Sequence, residues 1–232
     1  MTHSSFGSGP GSQTPDGCSV DLYRRLPYLG DLQDVESELL KFPAALELGC
    51  GTGRLCLRLQ QLGLQPTGVD ESAEMLAHLP PGVAGIQSAI ETLDAGRHWP
   101  VVLLPSHLIN HPDESTRRRF VQAARRHLAP GGIFFAKRHS PHWLAAATPG
   151  RLGAAGGVVL VAEHVARDGD LVSMRLRYEA DDAAWTQSFT TRSLEQADIE
   201  VLLAACGFGS FRWLGEQGLW LMASACDTVV PC

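Results

Sequence analysis

Two groups of residues have the types and spacing that could do chemistry. In the first, Glu47-Leu-Gly-Cys-Gly-Thr-Gly53, glycines at alternate positions follow a short apolar run. Missing side chains there permit a tight turn and close approach of the backbone to a ligand, and the amides of a following helix can meet its polar atoms. Asp70 ends the next apolar run, where a carboxylate can hydrogen-bond both hydroxyls of a ribose. Spacing alone leaves two readings open, because dinucleotide-binding loops use the related pattern GxGxxG. Here the pattern is GxGxG with Glu47 before it and Arg54 where a further glycine would fall.

The second group is rich in histidine. Pro105-Ser-His-Leu-Ile-Asn-His111 and Lys137-Arg-His-Ser-Pro-His-Trp143 each follow an apolar run. An imidazole near neutrality can take or give a proton, so His107 and His139 are candidate acid/base or acceptor-orienting residues, with polar loop packing as the alternative for each. Asn110 suits either orientation of an acceptor or stabilisation of a turn. His111, next to Pro112, suits setting the turn before a helix, and is also a candidate acceptor contact. Trp143, Tyr178 and Trp185 can form an aromatic wall, with Tyr23 or Tyr28 closing it from the other side; sheet aromatics are also ordinary core residues. The HxxxH and HxxH spacings are split between segments and lack a supporting carboxylate, so no metal is expected.

The elements that must position these groups alternate through the first two thirds of the chain. Strand signals at 43–48, 65–69, 84–88, 100–104 and 132–137 alternate with helix signals at 53–61, 72–79 and 115–128, the last capped by Asp113. That order indicates a mostly parallel sheet with helices on both faces, which gathers ligands at its strand ends. Short helices are expected at 21–26 and 34–41. The last third differs: runs at 158–165 and 171–178 flank Asp168-Gly-Asp170, a hairpin signal, and 185–191 adds a strand. A helix at 194–205, with Ser193 and Gln196 as capping box, precedes a final hairpin at 211–214 and 219–225. Residues 1–19, rich in Gly, Ser and Pro, are expected to be a flexible segment. Residues 20–232 are read as one domain, with 140–192 as a loop and antiparallel addition on the substrate side.

Composition narrows the partners. Hydrophobic residues make up 44% of the 232, charged residues 19%, and the formal charge is −6. That balance suits a soluble fold and disfavours a broad phosphate-binding surface, so neither nucleic acid nor membrane is expected as a partner. The six cysteines form no CxxC pair, and no run suits a secretion signal or a membrane span, so a reducing, cytoplasmic location is expected.

Glu47 through Gly53 resembles the acidic-x-GxGxG motif of the class I methyltransferases that use S-adenosylmethionine (SAM). Gly68-Val-Asp-Glu-Ser-Ala-Glu-Met-Leu76 resembles the family's second-strand motif, and Leu128-Ala-Pro-Gly-Gly-Ile-Phe134 the approach to its fifth strand. The resemblance implies an α/β, Rossmann-like, mostly parallel seven-stranded sheet with a small antiparallel addition. It also implies SAM as cofactor, with Gly49, Gly51 and Gly53 around its amino-acid end, Asp70 on its ribose, and Cys50 and Glu71 among the cofactor-binding residues. Glu47 would organise the loop or reach the methionine ammonium through water; Met75 would contact adenine or pack in the core. Family members often carry an acidic residue where this chain has Ala89, so adenine is expected to meet Ser88 or backbone around Ala89 and Ile90. The function so implied is methyl transfer to an oxygen or nitrogen of a small organic metabolite, by a monomer or homodimer. A SAM-binding protein without turnover is the main alternative, ahead of a protein or nucleic-acid methyltransferase.

Overall fold

The computed structural model describes residues 5–226; residues 1–4 of the amino-terminal segment, and 227–232 with Cys232, lie outside the described residues. In chain order the strands are β1 (Phe6–Ser8), β2 (Ala44–Leu48), β3 (Gln65–Asp70), β4 (Ala84–Gln87), β5 (Trp99–Leu104), β6 (Leu128–Lys137), β7 (Gly150–Ala155), β8 (Val158–Asp168), β9 (Leu171–Ala180), β10 (Ala183–Arg192), β11 (Phe208–Leu214) and β12 (Trp220–Ala225). The helices are α1 (Val20–Arg25), α2 (Glu36–Leu39), α3 (Arg54–Gln61), α4 (Ala73–Leu76), α5 (Glu114–His127), α6 (Pro141–Ala146) and α7 (Gln196–Ala204).

Seven strands form one sheet in the order β11-β12-β6-β5-β2-β3-β4. The five from β4 to β6 run parallel, and β12 joins β6 antiparallel. Strand alternation explains its two covered faces. Leu46, Leu48, Val102, Leu104 and Phe134 pack with Phe120, Val121 and Ala124 of α5 and Leu203 of α7. Ala45, Val101, Leu103 and Phe135, one position out of step, pack with Leu39 of α2 and Leu55 and Leu59 of α3. Chain order reverses at β2, which lies between β3 and β5, so the strand ends there open the crevice where such sheets take ligands.

The second sheet is antiparallel, in the order β1-β10-β9-β8-β7. Its centre is the hairpin expected at Gly169-Asp170. Three features depart from the sequence reading. Phe6–Ser8, within the segment expected to be flexible, pairs with Thr186–Ser188 of β10; a Gly/Ser strand shows no apolar periodicity, and the edge of β10 supplies its backbone partners. Helix α7 is capped by Glu195 and Asp198, not by Ser193 and Gln196, because the chain remains extended two residues longer after β10. The segment at 34–41 keeps only one helical turn, 36–39.

Candidate functional site

The glycine loop leaves the carboxyl end of β2. Gly49, Gly51 and Gly53 have φ of 75°, 54° and 82°, a region that L side chains rarely adopt. At Gly53, the N-cap of α3, a Cβ would also lie 2.6 Å from Leu79 Cδ2. At Gly51 the nearest neighbour of such a Cβ, Tyr23 Cδ1, is 3.7 Å away. The loop is anchored from β3: the amides of Gly49 and Cys50 both donate to Val69 O at 2.9 Å. Gly51 N donates to Asp70 Oδ2 at 2.8 Å, and Ser72 N to Asp70 Oδ1 at 3.0 Å. Each carboxylate oxygen keeps a further lone pair. Burial raises the Asp70 pKa, the two amides opposing it.

Glu47 shares the pleat side of Ala45, beneath the loop, and is 2% exposed. Cys56 Sγ of α3 donates to its Oε2 at 3.0 Å, and burial pushes the carboxyl up to about 7. It therefore braces the loop against α3 from inside. The Cys50 side chain is also buried, beside Gly68. Met75 is buried with its Sδ 4.0 Å from the Cβ position of Gly51. Ile90 Cδ1 lies 3.7 Å from that of Gly49. Ser88 N donates to Asp70 O at 3.0 Å, and its hydroxyl to Ala89 O at 2.8 Å. Glu71 is exposed and accepts Gln87 Nε2 on its carbonyl; the burial it does have raises its pKa, with Asp16 adding to the rise.

The histidine loop follows β5. Ser106 and His107 have φ of 58° and 61°, the positive-φ residues other than glycine among those described. Leu108 Cδ1 lies 2.7 Å from where a Cβ on Gly49 would be, so this loop abuts the glycine loop. The His107 and His139 rings stack with centroids 3.8 Å apart and an 8° interplanar angle. Trp143 extends the stack from His139, at 5.8 Å and 13°. Burial pushes His107 well below the ordinary histidine range and His139 down to about 4, so both rings are neutral.

Asn110 is fully buried, and its amide is committed to backbone: Nδ2 donates to Arg192 O at 2.7 Å and Oδ1 accepts from His139 N at 2.8 Å. It joins the loops after β5 and β6 to the end of β10, which corrects the expected acceptor contact. His111 belongs to the turn before α5, its Nδ1 accepting from Asp113 N and its ring edge-on to Phe120. Tyr28 is corrected likewise: its hydroxyl bonds Glu36 and Leu32 N beside the α2–α3 core. Trp185 is 1% exposed, packed on Leu22 and donating to Pro10 O, so it fastens the amino-terminal segment and forms no acceptor wall.

Tyr23 does reach the glycine loop, since its carbonyl accepts from Thr52 Oγ1 at 3.3 Å. Its hydroxyl accepts from Cys18 Sγ at 3.3 Å, and Gln187 Nε2 of β10 donates to that sulfur at 3.1 Å. Burial pushes the Cys18 thiol up to about 12 and also raises Tyr178, which senses Cys18 electrostatically. The structure thus brings Tyr23 and Tyr178 together around Cys18, a residue the sequence reading passed over because an isolated cysteine has no spacing signal. The strain at Ser106 was likewise invisible, neither residue type nor spacing announcing it. Among the described residues no cluster of His, Cys, Asp and Glu could hold a metal ion.

Residues 45–132 match a family model described as a methyltransferase domain. No curated protein sequence matches the chain. Among solved structures, the sugar N-methyltransferase KedS8 from Streptoalloteichus sp. ATCC 53650 superposes with a TM-score of 0.71 at 20% identity, over 94% of this chain and 98% of that one. A SAM-dependent methyltransferase from Clostridium acetobutylicum gives 0.70 at 18% identity, over 89% and 95%. CalS10, an amino pentose methyltransferase from Micromonospora echinaspora, gives 0.69 at 22%, over 88% and 94%. Strand order, glycine loop and matched segment agree: residues 45–132 match the methyltransferase-domain model, and the chain shares its fold with these SAM-dependent and sugar methyltransferases.

Proposed function

We propose that this protein methylates a nitrogen or oxygen of a small organic metabolite, with nitrogen the atom the site fits better. The observation that supports SAM as cofactor is the cradle itself: three positive-φ glycines beside a half-buried Asp70 whose oxygens fix the loop and retain acceptor capacity. Bound there, SAM supplies an electrophilic methyl group on a sulfonium, open to in-line attack by an acceptor lone pair. Gly49, Gly51, Gly53 and the Cys50 backbone would border its amino-acid end, with Asp70 and Glu71 at the ribose. Ser88, Ala89, Ile90 and Met75 would border the adenine, and Glu47 works through the loop it braces.

The acceptor would lie by His107 and His139, with Tyr23, Tyr178 and Trp143 as its apolar surroundings. A neutral imidazole accepts a hydrogen bond from an amine N–H and so turns the nitrogen lone pair toward the methyl group. Because burial disfavours the imidazolium, the pair is poorly suited to strip an alcohol of its proton. A neutral amine needs no such base before attack and sheds its proton afterward. The similar structures KedS8, a sugar N-methyltransferase, and CalS10, an amino pentose methyltransferase, agree with that preference.

Incubation of the protein with methyl-labelled SAM and metabolite extract, read by mass spectrometry, tests this reading. A labelled small amine is the expected product, while label confined to protein or nucleic acid would refute the substrate class. SAM binding without any labelled product would favour a non-catalytic SAM-binding protein, the reading for which Ala89 speaks. At saturating SAM, His107→Ala and His139→Ala are expected to lower turnover without changing SAM affinity.

A further inference from the structure

A groove of about 330 Å³ opens where the ring stack ends, between α6 and the edge strand β7, and Trp143, Arg151 and Leu152 are among its lining residues. We propose that it is an extended acceptor subsite that takes the part of the substrate that does not react, a planar apolar group bearing one anionic substituent. This rests on the small-molecule reading above.

Four observations support it. Trp143 is 39% exposed although one end of its stack is closed by His139, so indole surface remains for a planar ligand. Leu152 is 36% exposed beside it. The β7–β8 register slips between Arg151 and Gly153, leaving Leu152 as the extra residue of a bulge, a device that re-aims side chains at the edges of sheets. Arg151 is exposed and its side chain has no ion-pair or hydrogen-bond partner among the described residues, which leaves its guanidinium free for a carboxylate, sulfonate or phosphate.

The groove wall is fixed in advance. Arg167 of β8 donates through Nε and Nη2 to Leu144 O, at 3.1 and 2.6 Å, and through Nη2 to Ala147 O at 2.6 Å, tying down the carboxyl end of α6. Ser140 caps its amino end, accepting from Trp143 N at 3.2 Å. A preformed wall of this kind spares a ligand the entropy of ordering it. An acceptor whose reacting atom sits by His107 and whose remainder passes Trp143 extends beyond a single sugar or ring.

The test uses two probes on the full-length protein by titration calorimetry: 8-anilinonaphthalene-1-sulfonate and its uncharged analogue N-phenyl-1-naphthylamine. Arg151→Gln is expected to weaken the sulfonate about tenfold or more and leave the neutral probe unchanged, as loss of one charge-assisted contact requires. Trp143→Ala is expected to weaken both. Leu152→Asp, on the exposed bulge, is expected to do the same and covers the case in which Trp143→Ala misfolds. Unchanged probe affinity in Arg151→Gln and Leu152→Asp would overturn the proposal. So would a change of oligomeric state in sedimentation without loss of probe binding, which would assign the face to a second copy of the chain. Neither probe needs turnover, so failure of the labelled-methyl assay leaves this result standing, and the reverse.

Discussion

The glycine loop and the histidine loop touch at Gly49, yet they are held in opposite ways. The first adopts positive φ only at glycines and takes its anchors, Val69 O and Asp70, from the adjacent strand. The second adopts positive φ at Ser106 and His107, where a side chain costs roughly 1–3 kcal/mol per residue, and is held by Asn110 reaching to His139 and Arg192. The proposed cofactor side is thus shaped by local backbone freedom, the proposed acceptor side by distant contacts that overcome local preference. A loop of the second kind can change its chemistry without disturbing the first.

Substitutions can break that contrast. The largest effect is expected from Asp70→Ala, which removes a carboxylate serving both the loop and the proposed ribose contact. SAM affinity should fall about 100-fold, the loss of two charge-assisted hydrogen bonds of about 1.5 kcal/mol each, as read by calorimetry. An unchanged affinity would mean the loop does not depend on β3. Asn110→Ala should cost about 2 kcal/mol in urea unfolding, because buried backbone groups lose their partners. It should lower turnover while sparing SAM affinity; equal loss of both would show that the two loops are one unit.

Protonation separates the halves by sign. His139, held near 4 against an ordinary value of 6.5, stays neutral in the fold, so its contribution is complete above pH 6.5 and lost as pH falls toward 4. Glu47, raised from 4.5 to about 7, contributes fully below pH 4.5 and loses that contribution as pH rises through 7. Urea midpoints between pH 4 and 7.5 should therefore change slope in opposite senses in His139→Gln and Glu47→Gln. Slopes altered in the same sense would remove the contrast. The smallest effect is expected from Asp113→Ala, which deletes the α5 N-cap bond to Thr116 N and should cost about 1 kcal/mol by thermal melting, with SAM affinity unmoved.

What was legible in the sequence follows the same division. Short apolar runs alternating with helix signals, and the cap at Asp113, announced the parallel sheet and α5, because those signals are local. The glycines and Asp70 were readable for the same reason, and strand ends in an open α/β sheet converge, which put His107 and His139 at adjacent strand ends; the stacking of the two rings had no signal in the sequence. For Asn110, Trp185 and Tyr28 acceptor contact and internal packing were both open, since residue type does not reveal whether a polar or aromatic group has found a partner inside the protein; the structure gives each an internal partner. Nor did composition show β1, whose Gly and Ser residues acquire strand geometry only from the edge of β10.

The sequence by itself determined the alternating fold, the conformational freedom of residues 49–53 and a carboxylate at the end of β3. These depend on backbone sterics and burial patterns that act within a few residues. Only the tertiary structure decided that Ser106 and His107 are strained, that both histidines are neutral and that Trp143 ends a ring stack at an open groove. Those properties arise from burial and contacts between segments far apart in the chain, which no local pattern encodes.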